Sequence, residues 1–250
     1  MVVGHDHLGH GKTAKTPEDW GYFADGESPE ILIGDMNKLR TLSQEPDKPY
    51  FMLGHSMGSY LLRRYLSVYG GGLSGAVIMG TGANPDAVAK LGMAVCKAIA
   101  AFKGWKYRSP FMEKLFFFGD FQKFDMDGTH PENSWLTKDT EIVRFYYSEP
   151  RCTFKFTLKA YYDFLKTVYY VNRKENVEKI PKDLPILMVA GDCDPVGEFG
   201  KAVKRVYEMY KAAGINDVTL KLYENDRHEI LNETDKERVF DDIFNWCESR

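Results

Sequence analysis

Gly54-His55-Ser56-Met57-Gly58 fits the pattern G-x-S-x-G, and its chemistry is that of a serine nucleophile. Small residues at the two ends let the backbone turn sharply and hold the Ser56 hydroxyl above a sheet edge. The helix N-terminus that follows, with the Met57 N–H, favours negative charge developing on a substrate oxygen. A serine is a weak nucleophile until a base takes its proton, and the base needs a carboxylate to fix its tautomer and stabilise its cationic form. Six histidines compete: His5, His7 and His10 in an opening loop, His55 inside the motif, His130 in a polar loop, and His228 in Tyr223-Glu-Asn-Asp-Arg-His228-Glu229. His228 follows a strand-like run near the C-terminus and is the best base. For the acid, Asp192 and Asp194 lie just past another apolar run in Ala190-Gly191-Asp192-Cys193-Asp194-Pro195-Val196. Pro195 restrains Asp194 to an extended or turn geometry, whereas Asp192 suits bonds to local backbone N–H groups, so Asp194 is the preferred acid.

The elements that must position these groups read as an α/β chain. Ser28-Pro29-Glu30 has the form of an N-cap, a first-turn proline and a first-turn acid, with Leu32, Ile33, Met36 and Leu39 on one helical face behind it. Residues 50–53, 73–79, 184–190 and 218–223 are strand-like runs, the first read as buried on both faces. Helices are expected over 59–68 and 200–213. Thr234-Asp-Lys-Glu237 reads as a capping box opening a final docking helix, with Val239, Phe240, Ile243, Phe244 and Cys247 on one stripe. Alternating helices and buried strands imply a mostly parallel sheet with helices on both faces. Ser56, Asp194 and His228 each follow a successive strand. Residues 85–180 interrupt the alternation without a convincing strand, yet hold 20 of the 35 aromatic residues. They divide the chain into a first core part (1–84), a helical cap (85–180) and a second core part (181–250). Most of these rings are expected in the cap's own core; collectively they would line an apolar pocket over the strand ends.

Composition narrows the partners. Lys and Arg number 33 against 36 Asp and Glu, with no long basic run, which argues against nucleic-acid binding. Cys96, Cys152, Cys193 and Cys247 form no CxxC pair and read as reduced thiols of a cytoplasmic protein. No segment has the length of a membrane span, and the N-terminus lacks the pattern of a signal peptide. Asp6-His-Leu-Gly-His-Gly11-Lys12-Thr13 approximates a phosphate loop, but Asp6 stands where glycine is needed and would repel phosphate. His5, His7, His10 and Asp6 are metal-ligand types in one short loop without a helix-spaced partner, so loop-anchoring hydrogen bonds are the better reading.

The chain resembles the monoacylglycerol lipase and lysophospholipase-like branch of the α/β-hydrolases, also described as serine aminopeptidase-like. The resemblance covers nearly all 250 residues. It rests on Asp6 to Thr13, on Gly54 to Gly58, on Ser134-Trp135-Leu136-Thr137, on Gly191 to Val196 and on Arg227-His228-Glu229-Ile230-Leu231-Asn232-Glu233. It implies Ser56 as nucleophile, Asp194 as acid, His228 as base, and a helical cap over an acyl pocket. It also implies hydrolysis of small lipid-like esters, monoacylglycerols or lysophospholipids, through an acyl-enzyme without metal or organic cofactor. Transient contact with a lipid surface is compatible with it; stable membrane insertion is not. In the family pattern three strands, a helix and the loop carrying the second oxyanion donor stand upstream of Met1, and Met1 falls within the fourth strand. One missing strand would lie between the fourth and fifth, leaving unpaired edges within the sheet. An inactive pseudo-hydrolase or binding module is therefore the alternative reading, and an aminopeptidase the second alternative. A cap with an acidic cluster to hold a substrate amine would favour the latter, and none is evident.

Overall fold

A computed structural model describes all residues, 1–250. Four strands, β1 (Phe51–His55), β2 (Gly75–Met79), β3 (Ile186–Gly191) and β4 (Val218–Tyr223), form one parallel sheet in the order β1-β2-β3-β4. The register pairs Phe51 with Gly75, Ala76 with Ile186, and Ile186 with Val218. Side-chain alternation along these strands builds two cores. Ala76, Ile78, Ile186 and Met188 face α1 (Ser28–Ser43), α2 (Met57–Tyr69) and α9 (Lys201–Ala212), which contribute Ile33, Leu62, Tyr65, Val203 and Val206. Val77, Met79, Leu187 and Val189 face the opposite way, onto Val239 and Trp246 of α10 (Glu237–Glu248). The sheet is thus an α/β layer with helices on both faces, as in α/β-hydrolases.

Between β2 and β3 the chain is helical: α3 (Asp86–Lys103), α4 (Pro110–Phe116), α5 (Thr140–Ser148), α6 (Pro150–Thr153), α7 (Leu158–Val171) and α8 (Lys174–Val177). Ala89, Cys96 and Ala100 of α3 and Met112 of α4 pack on Leu158, Tyr161 and Leu165 of α7. Val177 and Ile180 instead join the core under the sheet, so the end of this interval is built into the α/β layer.

Several local readings are corrected. Strand β1 is an edge strand, with Leu53 48% exposed, and is not buried on both faces. Met1 to Val3 form no strand, and Val2 is 99% exposed. The four strands are adjacent without a gap, so no unpaired edge falls inside this sheet. Ser28 lies within α1, its hydroxyl donating back to the Ala24 carbonyl, and no side chain caps the helix. Helix α10 likewise has no side-chain cap. Trp246 is the ring that packs against the sheet, while Phe240 and Phe244 stay 41% and 62% exposed.

Candidate active site

The turn at Ser56 arises because β1 ends at His55 and α2 begins at Met57, leaving one residue to reverse the chain. Ser56 takes φ 53° and ψ −123°, a conformation that costs an L residue of order 1–3 kcal/mol and persists only where the surroundings enforce it. The enforcement is visible. The Ser56 N–H donates to the Met79 carbonyl at 3.1 Å, and the Ser56 carbonyl accepts from the Ser59 N–H at 2.8 Å and hydroxyl at 2.6 Å. A Cβ on Gly54 would fall 2.4 Å from the Gly58 carbonyl oxygen, so the first motif position must be glycine. A Cβ on Gly58 would meet nothing within 4 Å. Met57 is the first residue of α2, where the N–H has no acceptor within the helix.

Asp194 and His228 come together from the loops after β3 and β4. Nδ1 of His228 lies 2.9 Å from Oδ2 of Asp194, and both side chains are buried. With Nδ1–H donating to the carboxylate, Nε2 carries the lone pair. This atom is buried without a hydrogen-bond partner, and no hydrogen bond joins it to the Ser56 hydroxyl. The other Asp194 oxygen accepts from the Val196 N–H at 2.8 Å. Asp192 points elsewhere, its Oδ1 accepting from the Asn225 N–H at 2.8 Å. The two loops approach so closely that a Cβ on Gly191 would lie 2.0 Å from the Asp226 carbonyl oxygen.

The His228 loop is held by residues for which the sequence offered no role. His55 Nε2 lies 3.0 Å from the His228 carbonyl oxygen, with the two rings 4.6 Å apart. Burial first, and then the neighbouring His228, push the His55 pKa down to about 4, so His55 is neutral at pH 7 and donates this bond. The Trp135 ring lies 5.1 Å from the His228 ring, and the Trp135 carbonyl accepts the His228 N–H at 3.3 Å. The Glu229 N–H donates to the Leu136 carbonyl at 2.7 Å. Glu233, fully buried, accepts from the Arg227 N–H at 2.8 Å, and from the Thr137 hydroxyl and Lys138 N–H at 3.0 Å each. The guanidinium of Arg227 donates to the Ser134 and Glu132 carbonyls. The stretch Ser134 to Lys138 and the His228 loop are therefore laced together.

Beside Met57 runs a cleft too tight to admit a water molecule, lined by Phe23, Leu32 and Leu61 with Phe164, Thr167 and Asp163 of α7. Most of its wall is apolar. Asp163 is the one acid there, and Lys159 Nζ holds it at 2.6 Å. The opening loop is anchored by its own polar groups. Asp6 accepts the Lys12 N–H at 2.8 Å, His10 bonds the Leu8 carbonyl at 3.1 Å, and the His10 ring packs among Phe23, Phe154 and Phe156. Asp226, Glu233 and Asp235 do converge, but Lys138 Nζ reaches Asp226 at 2.7 Å and Asp235 at 3.5 Å. Arg238 reaches each of these two at 2.9 Å, so the cluster is a charge-compensated brace.

The chain is 26% identical to a monoacylglycerol lipase of Mycolicibacterium smegmatis, over all of this chain and 78% of that one. Identity to the monoglyceride lipase of Mus musculus is also 26%, over all of this chain and 74% of that one. A thermostable carboxyl esterase from Bacillus coagulans, solved in complex with glycerol, superposes with a TM-score of 0.85 at 31% identity, covering 98% of this chain and 79% of that one. A soluble variant of the Saccharomyces cerevisiae monoglyceride lipase has the same fold, with a TM-score of 0.74 at 22% identity over 98% and 75% of the two chains. The serine aminopeptidase, S33 family pattern matches residues 1–235, and the chain belongs to that family of α/β-hydrolases.

Proposed function

We propose that the protein is a carboxylic-ester hydrolase acting on small lipid-like esters of the monoacylglycerol type, with Ser56 as nucleophile, His228 as base and Asp194 as acid. The observation that carries this reading is the buried His228–Asp194 pair, at 2.9 Å, linked through the His55 bond to the His228 carbonyl with a serine held at a strained strand-to-helix turn. In this reaction Ser56 attacks the ester carbonyl while its proton passes to Nε2 of His228. Asp194, hydrogen-bonded to Nδ1–H, keeps that tautomer and stabilises the imidazolium. The Met57 N–H donates to the oxyanion. The alcohol leaves with the proton from His228, and a water activated by the same nitrogen releases the acid from Ser56.

The acyl chain is assigned to the apolar side chains beside Met57, which must part to admit it, and the helices of residues 85–180 serve as its cap. A carboxylic ester suits this wall better than a peptide amine, because the single acid there is already held by Lys159. The relatives named as monoacylglycerol lipases favour the same substrate class. A fluorophosphonate probe should label wild-type protein covalently at Ser56, and p-nitrophenyl ester hydrolysis should fall on the order of 10⁴-fold or more in Ser56→Ala. Absence of both labelling and turnover in folded protein would reject this reading in favour of a binding module.

A further inference from the structure

Arg63, in the middle of α2, is 1% exposed, and all four of its hydrogen bonds go to neutral acceptors. Nη1 donates to the Thr81 hydroxyl at 3.1 Å and the Gly82 carbonyl at 2.8 Å. Nη2 donates to the Val171 carbonyl at 3.2 Å and the Asn172 side-chain oxygen at 2.9 Å. The guanidinium carbon lies 5.5 Å from the centre of the Tyr60 ring, and Nε is buried without a partner. A cation taken out of water with no carboxylate beside it is costly, and an apolar side chain of similar volume often fills such a place at less cost. What an apolar side chain cannot do is hold two stretches of chain at once, as the planar fork of a guanidinium does.

The two stretches are the ends of the helical interval between β2 and β3. Thr81 and Gly82 follow β2, where the chain leaves the sheet, and Val171 and Asn172 close α7, where it turns back towards β3. Asn172 also ties the two ends directly, its Nδ2 donating to the Asn84 carbonyl at 2.9 Å. Beside the guanidinium, Tyr60 of α2 packs with Val168 and Val171 of α7. The cleft beside Met57 lies farther along the same two helices, between Met57 and Leu61 of α2 and Phe164 and Thr167 of α7. From Phe164 to Val171 is about 10 Å of helix, so the end of α7 that Arg63 holds sets which side chains stand opposite Met57. Released from Arg63, α7 takes other settings against α2, and only a fraction of molecules presents the two walls in register.

We propose that Arg63 is a positioning residue for the acyl group: by pinning both ends of the helical interval to the nucleophile's helix, it keeps α7 in register against α2. This rests on the ester-hydrolase reading and on the assignment of the acyl chain to the side chains beside Met57. The test is kcat and KM for p-nitrophenyl acetate, whose acyl group is too short to need the cleft, and for p-nitrophenyl decanoate, in wild type, Arg63→Lys and Asn172→Ala. Lysine keeps the charge but cannot hold both stretches. Asn172 is only half-buried, so its replacement leaves the core packed and keeps the test open should Arg63→Lys not fold. Arg63→Lys should raise the decanoate KM roughly tenfold and Asn172→Ala roughly threefold, with kcat and both acetate parameters within about twofold of wild type. Equal losses on the two esters, as general destabilisation would give, overturn the proposal, and so does an unchanged decanoate KM in the folded variants. A lower decanoate KM overturns it too, since the bonds would then be holding the cleft shut. Failure of the ester-hydrolase reading shows separately, as no turnover of either ester by wild type. Amide hydrogen exchange then decides: faster exchange in α7 with α2 unchanged, in either folded variant, supports the positioning role, and unchanged exchange in α7 overturns it.

Discussion

The two halves of the candidate site are built by opposite means. The nucleophile side is local: five consecutive residues, with one carbonyl across the sheet and one turn of α2, hold Ser56 at φ 53°. The base side is assembled from distant stretches. His228 is reached from Asp194, 34 positions away, from His55, 173 positions away, and from Trp135. The turn stores strain that its short closure cannot relax, whereas His228 is placed by hydrogen bonds spread over several stretches. Steric substitutions should therefore damage the first side and lost hydrogen bonds the second.

The largest expected effect separates the two glycines of the turn. Gly54→Ala drives a Cβ to 2.4 Å from the Gly58 carbonyl and 2.9 Å from the Leu62 Cβ, so the turn must open and the Ser56 hydroxyl must move. A displacement of that order costs about 10² or more in kcat/KM. Gly58→Ala places its methyl in open space and should stay within a few-fold of wild type. Ester hydrolysis by the two variants makes the comparison. Equal losses would mean that the close approach at Gly54 does not set the serine's position.

On the base side the corresponding test is Glu233→Ala. Its carboxylate accepts three hydrogen bonds that tie Arg227, next to His228, to Thr137 and Lys138. Removing it orphans the Arg227 and Lys138 N–H groups, while the Thr137 hydroxyl keeps the Asn232 carbonyl, and should cost about 2 kcal/mol of stability. The base's loop then loses its register, and kcat should fall about tenfold to a hundredfold, with the rate of fluorophosphonate labelling at Ser56 falling in parallel. Denaturant unfolding and labelling kinetics measure the two effects. A stability loss with unchanged labelling would show that the brace supports the fold and not the base.

This contrast also explains what could be read from the sequence. The sheet, its helices and Ser56 were legible because their signals are short: apolar runs of four to eight residues and one motif of fixed spacing. The neighbourhood of Asp194 was legible because Pro195 leaves a local trace. Strand β1 misled: an apolar run carries no information on whether a neighbour covers both of its faces, and Leu53 is half exposed. In α10 the helical period was right, but Trp246 rather than Phe240 and Phe244 took the buried side, which only the shape of the opposing sheet decides. His55, Trp135, Arg227 and Glu233 lie in stretches that the sequence singles out, but their roles were not legible there, since most of their partners lie far away in the chain. Arg63 is the extreme case. A fully buried arginine bonding Thr81, Gly82, Val171 and Asn172, it looks in the sequence like an ordinary polar position of a helix.

The smallest expected effect tests whether His55 is part of the base side or merely lies inside the nucleophile motif. Its pKa is lowered from 6.5 to about 4, by burial before all else. Below pH 6.5 the unfolded chain takes up a proton at this position that the folded chain refuses until about pH 4. Its contribution to stability is therefore complete above pH 6.5 and is lost as the pH falls from 6.5 towards 4. Part of the ring remains accessible, so the loss attributable to His55 between pH 7 and pH 5 is about 1–2 kcal/mol. His7, also pushed down to about 4 by burial, adds a loss of the same sign, so the informative quantity is a difference. Gln at position 55 can still donate to the His228 carbonyl but does not titrate. Urea unfolding of wild type and His55→Gln at pH 7 and pH 5 should show the variant losing about 1–2 kcal/mol less over this interval, with ester hydrolysis at pH 7 largely retained. His55→Ala, which cannot donate, should lose turnover at pH 7 as Glu233→Ala does. If instead both variants keep full turnover, the bond from His55 to the His228 backbone does not position the base, and only the three donors held by the Glu233 carboxylate do.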